Sequence, residues 1–169
     1  MLIFELLEFS SFLNFWYWLL VIVTWGVNTQ IVLGIPFYII ANGKSQSEDQ
    51  QKELMLAVHL NARRALAAYS PRLSLFLWIL AGFLFGFCAF AAFSYNSEPF
   101  QAILFLLVPV SFVVYMRLRL ARGFCEEVPS LKDFHAAAWR HRLWTICIAS
   151  ISIFLTAFWG LVFNLNQLG

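Results

Sequence analysis

The residues of this chain that could do acid–base, nucleophilic or metal chemistry are few. They are His59, His135 and His141, Cys88, Cys125 and Cys147, and a small set of carboxylates. A general acid or base at His141 needs a partner carboxylate, and Glu126, Glu127 and Asp133 are the candidates on the same stretch of chain. Cys88 and Cys147 can meet only if their two apolar segments pack together. Without a histidine or carboxylate between them they make an incomplete metal site, and a small apolar filler is the competing reading. No His falls inside an apolar segment, so paired axial ligands for a buried haem are missing. The chain has no HExxH, GxSxG, phosphate-loop or CxxC pattern. The expectation is therefore no catalytic residue, no metal, no cofactor and no enzymatic activity.

A second group of residues could bind rather than react. Thr24 and Asn28 lie four apart in a strongly apolar run, with Thr29 and Gln30 beside them. An amide in hydrocarbon costs roughly 2–7 kcal/mol unless it finds a partner. That partner is another helix of the same bundle, a second protein, or a small ligand such as a lipid, quinone or pigment. Gly82 and Gly86 form a GxxxG step that lets a helix approach closely. Thr145, Ala149, Ser152, Thr156 and Gly160 recur at helical spacing and make one narrow stripe of small residues, which reads as a helix contact face. His59 and Arg63 share a face, as candidates for phospholipid headgroups or an acidic partner. Arg63, Arg64, Arg140, Arg142 and Trp139 are the expected interface residues, and ordinary snorkelling is the competing account of them.

Apolar segments must position these groups. Of 169 residues, 62% are hydrophobic and 18% aromatic, and only 12% are charged. Nineteen Phe and seven Trp cannot all hide in one soluble core of this size. A net charge of +2 without a basic cluster gives no footprint for nucleic acid. The composition thus excludes a soluble enzyme, a disordered segment and a nucleic-acid binder. A spanning helix needs about 20 mostly apolar residues, and four stretches qualify: about 12–40, 73–95, 100–116 and 143–165. They do not alternate as barrel strands do. The expected fold is an all-α integral membrane protein, a four-transmembrane-helix bundle with short amphipathic interfacial helices, forming one domain.

All eleven Lys and Arg residues lie in or border the two segments at about 41–72 and 117–142. The positive-inside rule makes both cytoplasmic and puts both termini on the other side. Met1–Ser10 lacks a basic start and a cleavage site, and reads as an interfacial helix or an extension of the first span. In the first basic segment, Ser47 and Gln50 have capping-box spacing ahead of an amphipathic helix over Lys52–Tyr69. In the second, Ser130 and Asp133 mark a fresh start after Pro129, for a helix that runs on into the fourth span. Pro36 should bend or end the first span, leaving Phe37–Ile40 along the interface, and Pro109 should kink the third.

The residues Phe15–Trp18 (FWYW), Val23–Trp25 (VTW), Leu33–Tyr38 (LGIPFY), Arg140–Leu143 (RHRL) and Thr156–Gly160 (TAFWG) resemble a family of small four-span alphaproteobacterial proteins labelled "component of SufBCD complex". The likeness covers both ends of the chain and rests on aromatic and packing residues. It implies a bacterial inner membrane. A scaffold for iron–sulfur assembly needs exposed thiolates or carboxylates, and this chain offers Cys125 beside Glu126 and Glu127. Spans without charge, small-residue faces and surplus aromatics point instead to a non-catalytic accessory or scaffold subunit. It would pack in the lipid bilayer against a larger integral membrane complex, such as a respiratory or photosynthetic assembly. The alternative is a small oligomeric carrier or channel for a neutral lipophilic substrate.

Overall fold

The structure is a computed structural model that describes residues 15–45, 47–67, 71–95, 97–126, 128 and 130–168. The expected helix over Met1–Ser10 lies outside them. Among the described residues six helices make an all-α fold: α1 (Phe15–Gln30), α2 (Phe37–Ala41), α3 (Glu48–Ala67), α4 (Pro71–Ser94), α5 (Glu98–Gly123) and α6 (Leu131–Leu168). A two-residue antiparallel hairpin, β1 (Ile31–Val32) and β2 (Ile35–Pro36), joins α1 to α2, and a 3-10 turn follows at Gly43–Ser45. α5 is the central element. It packs on α4, on α6 and, through its last turns, on α3, while α1 lies against α6.

The helix starts follow their local chemistry. The Gln50 N–H donates to Ser47 Oγ at 3.4 Å, and Gln50 Oε1 accepts from the Ser47 N–H at 3.2 Å. This reciprocal pair satisfies two donors that the first turn of α3 leaves bare. Ahead of α6, Ser130 Oγ donates to Asp133 Oδ2 at 2.6 Å and accepts from the Asp133 N–H at 3.2 Å. From that cap α6 continues for 38 residues, about 57 Å at 1.5 Å per residue. Its Lys and Arg residues lie within its first twelve residues, and the apolar stretch begins at Leu143.

The first apolar stretch is divided, where hydropathy predicts one run over 12–40. α1 ends at Gln30 and the chain reverses at Leu33 and Gly34, whose φ values are +49° and +77°. Two consecutive positive φ angles are what a two-residue type I′ hairpin requires. Leu33 is an unfavourable residue there, and its buried side chain holds it in place. The apolar residues after the turn serve a core of their own. Val32, Ile35, Phe37 and Ile40 pack with Leu54, Met55, Val58 and Ala62 of α3, Ala121 of α5, and Phe134 and Ala138 of α6. Hydropathy cannot separate ten residues buried in protein from ten residues of a span.

The molecule therefore has two parts. The basic end is a small packed head. The remainder is a set of apolar helices whose outer surfaces are bare. Among the described residues two helices are long and apolar enough to cross a membrane, Glu98–Gly123 in α5 and Leu131–Val162 in α6, and α4 contributes a shorter apolar stretch, Trp78–Ser94. Along α4, Phe76, Trp78, Ile79, Phe83, Phe87 and Phe90 are all exposed. An apolar surface of this extent marks contact with lipid or protein.

Candidate functional site

Helix packing, the interior polar groups and the basic head are the three places where the sequence locates function. The small-residue stripe of α6 lies inside: Thr145, Ala149, Ser152, Thr156 and Gly160 are all buried. Ala149 packs with Val21 and Trp25 of α1 and with Leu106 and Val113 of α5. Thr156 hydrogen-bonds Tyr17, whose hydroxyl also donates to the Ala102 carbonyl at 3.0 Å. Ser152 Oγ donates to the Phe105 carbonyl at 3.2 Å. Pro109 stands four residues after Phe105 and has no N–H to offer that carbonyl. The α6 hydroxyl thus fills the bond that the α5 proline removes, and α5 continues through Pro109 as helix.

Gly82 and Gly86 are placed differently. Both are exposed, and a Cβ added to either would meet nothing within 4 Å. The close approach expected at this step is not made by any described part of the chain. The physical reason is that α4 meets the bundle nearer its C-terminal end, where Ala91 and Ala92 are buried.

One amide missing from the sequence-based candidates ties three helices together. Gln101 is buried on α5. Its Nε2 donates to the Ala92 carbonyl of α4 at 3.0 Å, and its Oε1 accepts from Trp159 Nε1 of α6 at 2.9 Å. Ala92 lies in the last turn of α4, where carbonyls lack intrahelical donors. A Gln in the first turn of one apolar segment, next to the end of another, was the available signal. Beside this tie runs an apolar crevice of about 630 Å³ between α4, α5 and α6, with Phe85, Phe93, Phe105, Val108, Ile151 and Leu155 among its walls.

Asn28 finds its partners inside the bundle. Its Nδ2 donates to the Thr24 carbonyl at 2.8 Å, and its Oδ1 accepts from Arg117 Nη2 of α5 at 3.0 Å. On α1, α5 and α6 stand buried polar atoms without a hydrogen-bond partner: Trp25 Nε1, Arg117 Nε, His141 Nε2 and Arg142 Nε. His141 stands two residues ahead of the apolar stretch of α6. Burial, and secondarily the Arg117 charge, push its imidazole down to about 4, so it is neutral at pH 7. Of the carboxylates considered as its partners, Glu126 and Asp133 are exposed, Asp133 is committed to its cap, and Glu127 lies outside the described residues.

The expected headgroup residues separate into two groups. Arg63, Arg64 and Arg140 are exposed. Arg142 is half-buried, with its guanidinium 4.1 Å from the centroid of Phe37 and 6.0 Å from that of Trp139. Phe37 and Trp139 meet edge to face at 5.2 Å. This sandwich clasps α2 to α6, with Trp139 still 41% exposed. His59 Nδ1 donates to the Phe124 carbonyl at 3.1 Å, which binds α3 to the end of α5 and turns that nitrogen away from any ligand. Cys125 Sγ donates to the Arg122 carbonyl at 3.3 Å, and Cys88 and Cys147 are free thiols. No group of three or more metal-ligating side chains occurs among the described residues.

No protein-family model matches this chain, and neither a curated protein nor a solved structure is detectably similar to it.

Proposed function

We propose that the chain is a non-catalytic accessory subunit of a larger complex in a bacterial inner membrane. In this reading it crosses the bilayer four times, with the basic head in the cytoplasm and both termini in the periplasm. The confinement of Lys and Arg to two segments supports that orientation. The observation that carries the accessory role is α4. Its Gly82–Gly86 step lies open among exposed Phe, Trp and Ile side chains, while the small-residue face of α6 is already occupied within the chain. A partner's transmembrane helix fits an open GxxxG step, where close backbone approach supplies the van der Waals contact that lipid tails do not. The test is comigration on native gels after extraction in mild detergent. The protein should run with a larger complex, and Gly82→Leu should release it without impairing membrane insertion. Purification of the wild type as a lone homo-oligomer would overturn the reading.

The apolar crevice favours a second reading, a small oligomeric carrier for a neutral lipophilic molecule. A lipid or quinone tail suits its walls. Native mass spectrometry of the purified protein separates the two, because a carrier retains a stoichiometric lipophilic guest and needs no partner.

A further inference from the structure

The buried polar group around Arg117 lacks a counter-charge. Arg117 gives one nitrogen to the neutral amide of Asn28, and its Nε has no acceptor. Trp25 precedes Asn28 by three residues on the same face of α1, and packs against Val113 of α5, one turn before Arg117. It is 4% exposed, and its indole N–H is unpartnered. His141 is also 4% exposed with Nε2 unpartnered, and lies close enough to Arg117 to feel its charge. The indole and guanidinium nitrogens can only donate. Among the described residues the sole ion pair is Lys52 with Asp49, at 3.5 Å on the surface of α3. A half-buried guanidinium with an unpartnered nitrogen, and no carboxylate paired to it among the described residues, is what an acceptor-rich anion would complete.

We infer that Trp25, Arg117 and His141, braced by Asn28, form a binding site for a phosphate anion at the junction of α1, α5 and α6. The chemistry specifies a tetrahedral oxyanion. Two donors come from separate helices, the cation is fixed in direction by its bond to Asn28, and a neutral imidazole adds a third contact as donor or acceptor. A water molecule satisfies the donors but leaves the charge uncompensated. The position suits the phosphate of an acidic membrane lipid, since Arg117 ends one apolar stretch and His141 precedes another, where headgroups lie. Free phosphate offers the same oxygens. The site stands apart from the Gly82–Gly86 step and does not depend on the accessory role.

The experiment uses the full chain, delipidated in dodecyl maltoside, with thermal unfolding followed on addition of one probe at a time. The probes are dioleoylphosphatidylglycerol, dioleoylphosphatidylcholine and inorganic phosphate. Phosphatidylglycerol should raise the midpoint by several degrees at saturation, and phosphatidylcholine should have at least tenfold weaker effect. A response to inorganic phosphate equal to that of the acidic lipid keeps the site and assigns it to the free anion. Arg117→Gln should weaken the response at least tenfold. Trp25→Phe, which removes the N–H together with part of the ring, should weaken it about threefold and serves where Arg117→Gln fails to fold. Equal response to both lipids with none to phosphate overturns the inference, as does no response to any probe. An Arg117→Gln protein more stable than a wild type that responds to nothing would show an empty, uncompensated cation instead.

Discussion

The contact between Ser152 and Pro109 makes a sharp quantitative prediction. A buried carbonyl left without a donor costs roughly 1–3 kcal/mol, and measured interhelical hydrogen bonds in membranes average about 0.6 and reach about 1.7 kcal/mol. The Phe105 carbonyl has lost its helical donor to Pro109 and takes Ser152 Oγ at 3.2 Å in its place. Ser152→Ala should therefore cost about 1 kcal/mol, a shift of about fivefold in the unfolding constant. In a Pro109→Ala background the restored N–H serves Phe105, and Ser152→Ala should then cost close to nothing. The double-mutant cycle isolates the coupling, read as unfolding free energy by steric trapping in bicelles. Equal cost of Ser152→Ala in both backgrounds would refute the idea that the hydroxyl substitutes for the missing amide. It would leave Ser152 as a small residue chosen for packing alone.

Three further outcomes follow from the same reasoning. Gly34→Ala should destabilise the head by about 1–2 kcal/mol, the cost of forcing an alanine into the left-handed region, because φ is +77° and the new methyl would sit 3.3 Å from Asn61 Nδ2; a chemical-denaturation midpoint equal to wild type would contradict the turn. Gln101→Leu should cost about 1–3 kcal/mol by stripping both the Ala92 carbonyl and the Trp159 N–H, and the fluorescence of Trp159 should change with it. His141 has a folded value near 4 against an ordinary 6.5, so the unfolded chain binds the extra proton first as pH falls. Its contribution is complete above about 6.5 and is lost as pH drops towards about 4; His141→Gln should flatten the unfolding midpoint across that window, and an unchanged slope would exclude the imidazole as its source.

Sequence and structure agree wherever the physics is local. The capping pairs at Ser47 and Ser130 need only residues three apart, and the long run of α6 needs only a cap and no breaker. Non-local physics decides the rest. The hairpin at Leu33 and Gly34 forms because α3 and α6 cover the residues that follow it, which a window of hydropathy cannot register. Gln101 looks like an ordinary first-turn residue until the end of α4 lies beside it. Arg117 borders a basic segment in the sequence, yet its side chain turns back to Asn28. The Gly82–Gly86 step is equally visible in both descriptions, but only the arrangement of α4 leaves it open.

The clasp of Arg142 and Trp139 over Phe37 has a consequence for biogenesis. Phe37 leaves the ribosome well before Arg142 and Trp139, the two α6 residues that grip it. Until α6 emerges, α3 covers the hairpin's apolar side chains only in part, and the side that Phe134 and Ala138 close stays open. Head closure thus waits for α6, and a chain truncated before Trp139 would keep an unfinished apolar end for quality-control proteases to recognise.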